Sequence, residues 1–291
     1  MVRNNLFLRE SCRDSSVGGE RFSQHPIGYN GSIVMVEPSP ARKGARSRAD
    51  VTPQILRQLN AGTLETASLP EGLIVDFAKL MAVVASDVPK SVAKELKTTK
   101  SIVARMNVAG RALGEHLGLD ELPRLVEHRS DTVRGWSAYL IAHAQGLSLA
   151  ARFKLIRPLA ADVHFGVREW AWLALRPHVA QELDRALQLL TPWTGDPDAN
   201  IRRFVSEITR PRGVWCEHIA ALKREPELAE SLLEPLHADP ERYVQNSVAN
   251  WLNDAAKSQP DWVKQLCGRW QRASRSPQTS YIVRRALRSL R

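Results

Sequence analysis

The sequence predicts an all-α fold, a curved superhelix of stacked helix pairs, and three observations carry that prediction. Apolar residues return at helical spacing from Val51 onward. No segment alternates strictly between apolar and polar residues, as a half-buried strand does. A short motif built on a β-branched residue recurs five times between Asp131 and Arg284. The 291 residues suffice for one large domain or two modest ones.

Residues 1–50 stand apart. Gly18-Gly19, the turn-rich run Gly28 to Gly31, Pro38, Pro40 and the cations Arg42, Lys43, Arg46 and Arg48 leave little to pack a core, so a disordered basic tail is expected. Residues 51–291 form the expected repeat domain. Thr52 before Pro53 reads as an N-cap with proline at the first helical position. Leu73, Phe77, Leu80, Met81 and Val84 trace one stripe. Further stripes follow over 102–117, 133–144, 149–159, 167–179, 183–190, 201–208, 215–222, 229–236, 244–252, 262–270 and 282–290.

Beneath the stripes lies the repeat. Val133, Val167, Ile201, Val244 and Val283 each precede a polar, mostly basic residue at the start of an amphipathic helix. Their spacings of 34, 34, 43 and 39 residues sit close to the HEAT/armadillo period. Asp196-Pro197 and Asp239-Pro240 end one helix and prepare the next. One helix pair cannot bury its apolar face alone, so the repeats must stack into a HEAT-like solenoid.

Composition narrows the partners. Lys and Arg number 41 against 31 Asp and Glu, a net charge of +10, which suits a polyanion. Cys12, Cys216 and Cys267 are too few and too scattered for a disulfide framework or a metal knuckle. No apolar run nears the roughly 20 residues of a membrane span, and the N-terminus lacks a signal-peptide core. A monomeric protein of the reducing cytoplasm, with no metal, is the expectation.

Stacking aligns equivalent positions, so Arg134, Arg168, Arg202 and Arg284 are expected to form a ladder. Such a ladder either grips phosphates through arginine forks or pairs with acids at helix starts. Arg203, Arg210, Arg212 and Arg285 add charge nearby. All eight tryptophans lie between 136 and 270, and most are expected in the core. Trp170 and Trp172, two apart on a helix, cannot share one face, so one is expected to look into a groove. Arg203, Glu207 and Arg210 share a helix face at i, i+4 and i+7, which should keep the acid ionised. Pro211 and Gly213 then turn the chain, aiming Arg210, Arg212 and Trp215 from a loop. That acid is a candidate electrostatic stabiliser, or else part of a structural ion-pair corner. Asn246, Asn250, Asn253 and Asp254 form a polar stripe, for recognition or for bonds between repeats.

Two of these segments, Asn200 to Arg212 with Trp215, and Tyr243 to Asp254, resemble motifs of the bacterial AlkC/AlkD-type DNA alkylation repair family, nearer the AlkC branch. The resemblance extends from about Arg48 to the C-terminus. It implies a HEAT-like solenoid acting on double-stranded, alkylated DNA as an N-glycosylase for cationic N3- or N7-alkylated purines, without metal or organic cofactor. It also implies catalytic roles for Glu207 and Asp254, an aromatic role for Trp172, and DNA contacts from Arg168, Arg202, Arg203, Arg210, Arg212, Trp215 and Asn250. In AlkC-like members a glutamate stands four residues before an Arg-Pro pair. Here the pair is Arg176-Pro177 and the position holds Trp172, with Glu169 one turn earlier as the candidate replacement. A typical histidine of the second motif is Trp251 here. A DNA-binding protein of the same family without catalysis, and a HEAT scaffold for protein partners, are the alternatives.

Overall fold

A computed structural model describes residues 42–290, and every regular element among them is a helix. The glycine and proline runs assigned to a tail within residues 1–41, and Cys12, lie outside the described residues. Residues 42–50 are packed rather than loose. Arg42 donates to both carboxylate oxygens of the fully buried Glu71, whose side chain also accepts from the backbone of Ala45 and Ala67. Gly44 lies so close to Ala67 and Ser68 that a Cβ there would sit 2.5 Å from a carbonyl oxygen. The basic run was therefore misread in part: its first cation anchors the segment to the fold.

The helices are α1 (Pro53–Asn60), α2 (Leu69–Ile74), α3 (Phe77–Val84), α4 (Lys90–Thr98), α5 (Ile102–His116), α6 (Leu122–Val126), α7 (Asp131–His143) and α8 (Leu149–Ala160). They continue as α9 (Phe165–Gln181), α10 (Leu183–Leu190), α11 (Ala199–Ile208), α12 (Ala220–Arg224), α13 (Glu230–Leu233), α14 (Arg242–Ala256), α15 (Pro260–Ala273) and α16 (Pro277–Ala286). The stripe from Leu73 to Val84 is split in two because Asp76 caps α3, accepting from the backbone N–H groups of Ala78 and Lys79. The stripe over 215–222 is mostly loop, with α12 beginning only at Ala220. The short helix α4 was missed because only Val92 and Leu96 mark its buried side.

α5, α7, α9, α11, α14 and α16 pack in series, each against the next, and form the inner layer. All five β-branched markers are at most 2% exposed; Val133, Val167, Ile201 and Val244 each stand third in their helices, but Val283, expected to open the last one, lies a turn deeper because α16 already begins at Pro277. They are the pegs on which successive repeats stack. Trp136, Trp251 and Trp270 are buried core residues, and Trp193 packs between Phe153 and Phe204. α5 and α7 cross closely at Gly110, where a Cβ would stand 2.3 Å from Tyr139 Cβ. Among the described residues, no helix is long and apolar enough to cross a membrane.

The residue after each marker has a common task. Arg134 donates to the carbonyls of His128 and Arg129, Arg168 to those of Asp162 and Val163, and Arg202 to those of Asp196 and Pro197. Gln245 does the same with Asp239 and Pro240. Each side chain reaches back six and five residues and ties the incoming loop to its own helix, supplying partners that buried carbonyls require. Arg134 and Arg202 also bridge to the next repeat through Asp162 and Asp239, both at 2.7 Å. Of the two readings of the ladder, phosphate contact or pairing with acids, Arg134 and Arg202 follow the second, and together with Arg168 they staple their own loops; Arg284 does not.

Candidate functional site

The inner layer encloses one side of a cleft of about 1220 Å³, open to solvent. Its walls come from α5, α7, α9, α11 and α14, together with the loop after α11 and, on the N-terminal side, α2, the start of α3 and the segment before α2. The residues facing it stand two and six positions after the markers: Glu169 and Leu173 on α9, Arg203 and Glu207 on α11, Asn246 and Asn250 on α14. Because +2 and +6 are four apart, they share one helix face, and stacking turns that face into a continuous wall.

Across this wall runs a chain of alternating charges. Glu169 Oε1 accepts from Arg203 at 2.6 Å. Arg203 also reaches Glu207 at 3.3 Å, and Glu207 reaches Arg210 at 3.3 Å. Arg210 then donates to Asp254 Oδ2 at 2.6 Å, and Lys257 closes the series on Asp254 Oδ1 at 3.0 Å. Burial by itself would push the Glu207 carboxyl up, but the charges of Arg203 and Arg210 and the Ser247 hydroxyl, donating at 2.8 Å, hold it low. Burial works against the Arg203 and Arg210 cations too, yet the facing carboxylates raise both. Glu207 is therefore an ionised, almost fully buried carboxylate at the cleft wall.

The carboxylates differ in access. The Glu169 side chain is 14% exposed, against 4% for Glu207 and 6% for Asp254. Glu169 keeps its orientation because Trp172 Nε1 donates to Oε2 at 3.0 Å while Arg203 holds Oε1. Asp254, expected as a catalytic acid, stands behind Arg210 and is not among the residues lining the cleft. It positions Arg210 instead.

Aromatic rings complete the walls. Trp170 and Trp172 both line the cleft, contrary to the expectation that only one would. On the helix wheel their positions lie about 100° and 60° to either side of Glu169, and the Trp172 indole reaches its carboxylate. Gly135 makes room for Trp170: a Cβ there would meet its Cδ1 at 2.6 Å. Trp215 and Val214 reach in from the loop after α11. That loop is fixed by Arg176, whose buried guanidinium donates to the carbonyls of Ile208, Arg210 and Glu217. Tyr243 lies with its ring 4.2 Å from the Arg203 guanidinium carbon.

Of the anticipated DNA contacts, Arg203, Arg210, Trp215 and Asn250 line the cleft, while Arg168, Arg202 and Arg212 do not. Arg212 donates to the Asp254 carbonyl and to Ser258. Sequence reasoning did not single out Asp131, His164, Tyr243 or Ser247 as lining residues. Asp131 accepts from the Thr66 N–H and hydroxyl at 2.9 and 2.8 Å, and His164 caps α9 through Nδ1. The signal for Ser247 and its neighbours was the repeat itself, read two or three positions past each marker instead of one. Among the described residues, no group of three or more His, Cys, Asp or Glu side chains is arranged to hold a metal ion.

Comparison with known proteins follows this geometry. A family model described as "DNA alkylation repair enzyme" matches residues 138–290. The uncharacterized protein YhaZ of Bacillus subtilis (strain 168) is 32% identical over 135 residues, 46% of this chain and 36% of its own. The alkylpurine DNA glycosylase AlkC of Pseudomonas fluorescens, solved bound to DNA containing an abasic site analog, is 25% identical with a TM-score of 0.60. That match covers 85% of this chain and 65% of the AlkC chain. AlkD2 from Streptococcus mutans shares the fold at 19% identity and a TM-score of 0.54, over 68% of this chain and 97% of its own. The chain thus spans about a third of the curated relative's length, and 65% of AlkC's.

Proposed function

The chain belongs to the DNA alkylation repair enzyme family, and from that premise we propose that it is a DNA N-glycosylase removing cationic N3- or N7-alkylated purines. The carrying observation is a single cleft lined by Glu169, Trp170, Trp172 and the ionised Glu207, with Trp172 donating to Glu169. A positively charged base is drawn to aromatic faces and to fixed carboxylates more strongly than a neutral base is. Double-stranded DNA in the cytoplasm is the substrate, and the protein acts as a monomer without cofactor.

The chemistry asks little of the protein because an alkylated purine cation is already a good leaving group. As the C1′–N bond breaks, its electron pair neutralises the base and positive charge develops on the sugar. Glu207, pinned between two arginines, supplies fixed negative potential toward that charge without reorganising. Glu169, the more accessible acid, orients the water that adds to C1′ and accepts its proton. The Glu207 side chain is 4% exposed against 14% for Glu169, which argues against its acting as the base.

The test is release of 3-methyladenine and 7-methylguanine from methylated duplex DNA. Glu169→Gln is expected to slow single-turnover release on the order of 10²–10³-fold while leaving duplex affinity nearly unchanged. Full activity in that variant rejects the assignment of Glu169. Duplex binding by the wild-type chain with no base release supports instead a binding-only member of the family. That second reading draws on Trp172, which stands where AlkC-like members carry a glutamate. No duplex affinity even at low salt leaves the scaffold for protein partners.

A further inference from the structure

Arg134, Arg168, Arg202 and Arg203 of the inner layer are held by carbonyls or carboxylates, and the cations around α16 depart from that pattern. Tyr281, on α16, is surrounded by cations: the guanidinium carbons of Arg242, Arg284 and Arg285 lie 3.6, 5.6 and 5.6 Å from its ring centroid. Arg242 and Arg284 are exposed, and neither makes an ion pair with a carboxylate among the described residues. Arg284 follows Val283 a full turn further into its helix than Arg134, Arg168 and Arg202 lie in theirs, and it makes no staple to an incoming loop. The like charges of Arg242 and Arg284 against one ring repel one another, and an anion placed against them relieves that repulsion.

The cluster is joined to the cleft. The Tyr281 hydroxyl donates to Asn246 Oδ1 at 2.7 Å, and Arg288 donates to Asn250 Oδ1 at 2.8 Å. Both asparagines line the cleft. The positive surface therefore continues the wall by one repeat, beyond the carboxylates rather than among them.

We propose that Arg242, Arg284 and Tyr281 form a docking site for the phosphodiester backbone of a duplex whose target nucleotide occupies the cleft. The inference rests on the glycosylase reading for the placement of that nucleotide, but the phosphate contact stands on the cation cluster alone. Exposed forked guanidinium groups suit phosphate oxygens, and a polar, positively charged end beside an acidic cleft gives the strand a direction. The backbone is held at one end and the cationic base is drawn toward Glu169 and Glu207.

The test measures affinity of the full chain for one duplex oligonucleotide, methylated or not, across a series of KCl concentrations. Replacing two phosphate-contacting arginines should flatten the plot of log affinity against log salt by about 1–2, since each contact contributes roughly 0.9 to the slope on B-DNA. Arg242→Gln/Arg284→Gln is expected to show that flattening with an unchanged melting temperature. Arg242→Lys/Arg284→Lys is expected to retain most of the slope. Tyr281→Phe, which keeps the ring but loses the bond to Asn246, should leave the slope intact. A wild-type slope in the double glutamine variant overturns the proposal, as does loss confined to binding of anionic phospholipid vesicles. If the slope flattens but even the wild-type chain releases no base, docking stands and the glycosylase reading falls.

Discussion

Replacing Arg210 with methionine removes the central cation of the cleft's charge series while keeping most of the side chain's volume. In the native protein Arg210 is 4% exposed and stands between Glu207 and Asp254, at 3.3 and 2.6 Å. Without it, Glu207 retains Arg203 and Asp254 retains Lys257, but two carboxylates stay buried with half their pairing gone. Breaking a buried pair from one side costs about 3–5 kcal/mol. For a domain of this size each kcal/mol lowers Tm by about 2–4 °C, so a fall of roughly 6–20 °C is expected at pH 7.

The pH dependence has a definite sign. In the native protein the Glu207 pKa is lowered relative to the unfolded chain, so its contribution is present above the unfolded carboxylate pKa and is lost as pH falls through the folded value. In Arg210→Met, burial outweighs the remaining attraction and the folded Glu207 pKa rises. Protonation then relieves the buried charge, and the Tm gap between variant and wild type narrows as pH drops from 7 toward 5. Thermal unfolding followed by circular dichroism at both pH values decides the matter. A Tm within 2 °C of wild type at pH 7, or a gap that widens on acidification, refutes the view that Arg210 holds a buried Glu207 carboxylate ionised.

Trp172→Phe retains a ring at the cleft but removes the N–H that holds Glu169 Oε2. Hydrogen bonds to charged groups contribute about 1.5–3 kcal/mol, so single-turnover base release should fall at least roughly tenfold with duplex affinity preserved. An affinity loss without a rate loss would show instead that Trp172 serves as a binding surface. Gly110→Ala drives a methyl group toward Tyr139 Cβ and its backbone. Overpacking of this kind costs about 1–3 kcal/mol, and scanning calorimetry should register a Tm several degrees lower. An unchanged Tm would mean that α5 and α7 do not meet as closely as described.

What the residues alone determined follows from relations within single helices. The period of 3.6 residues placed Arg203, Glu207 and Arg210 on one face, and the five markers at 133, 167, 201, 244 and 283 announced the stacking before any coordinates. The two motifs likewise suggested a family to which residues 138–290 do belong. Tertiary structure decided everything that passes between repeats. Glu169 and Arg203 are 34 residues apart, and Arg210 and Asp254 are 44 apart; their pairing depends on how far each helix is rotated as it stacks. That rotation turned the arginines after the markers inward to their own loops and the residues two positions on toward the cleft. Arg284 stayed outside because α16 begins at Pro277, which puts Val283 and Arg284 a turn beyond the helix start where the other staples sit.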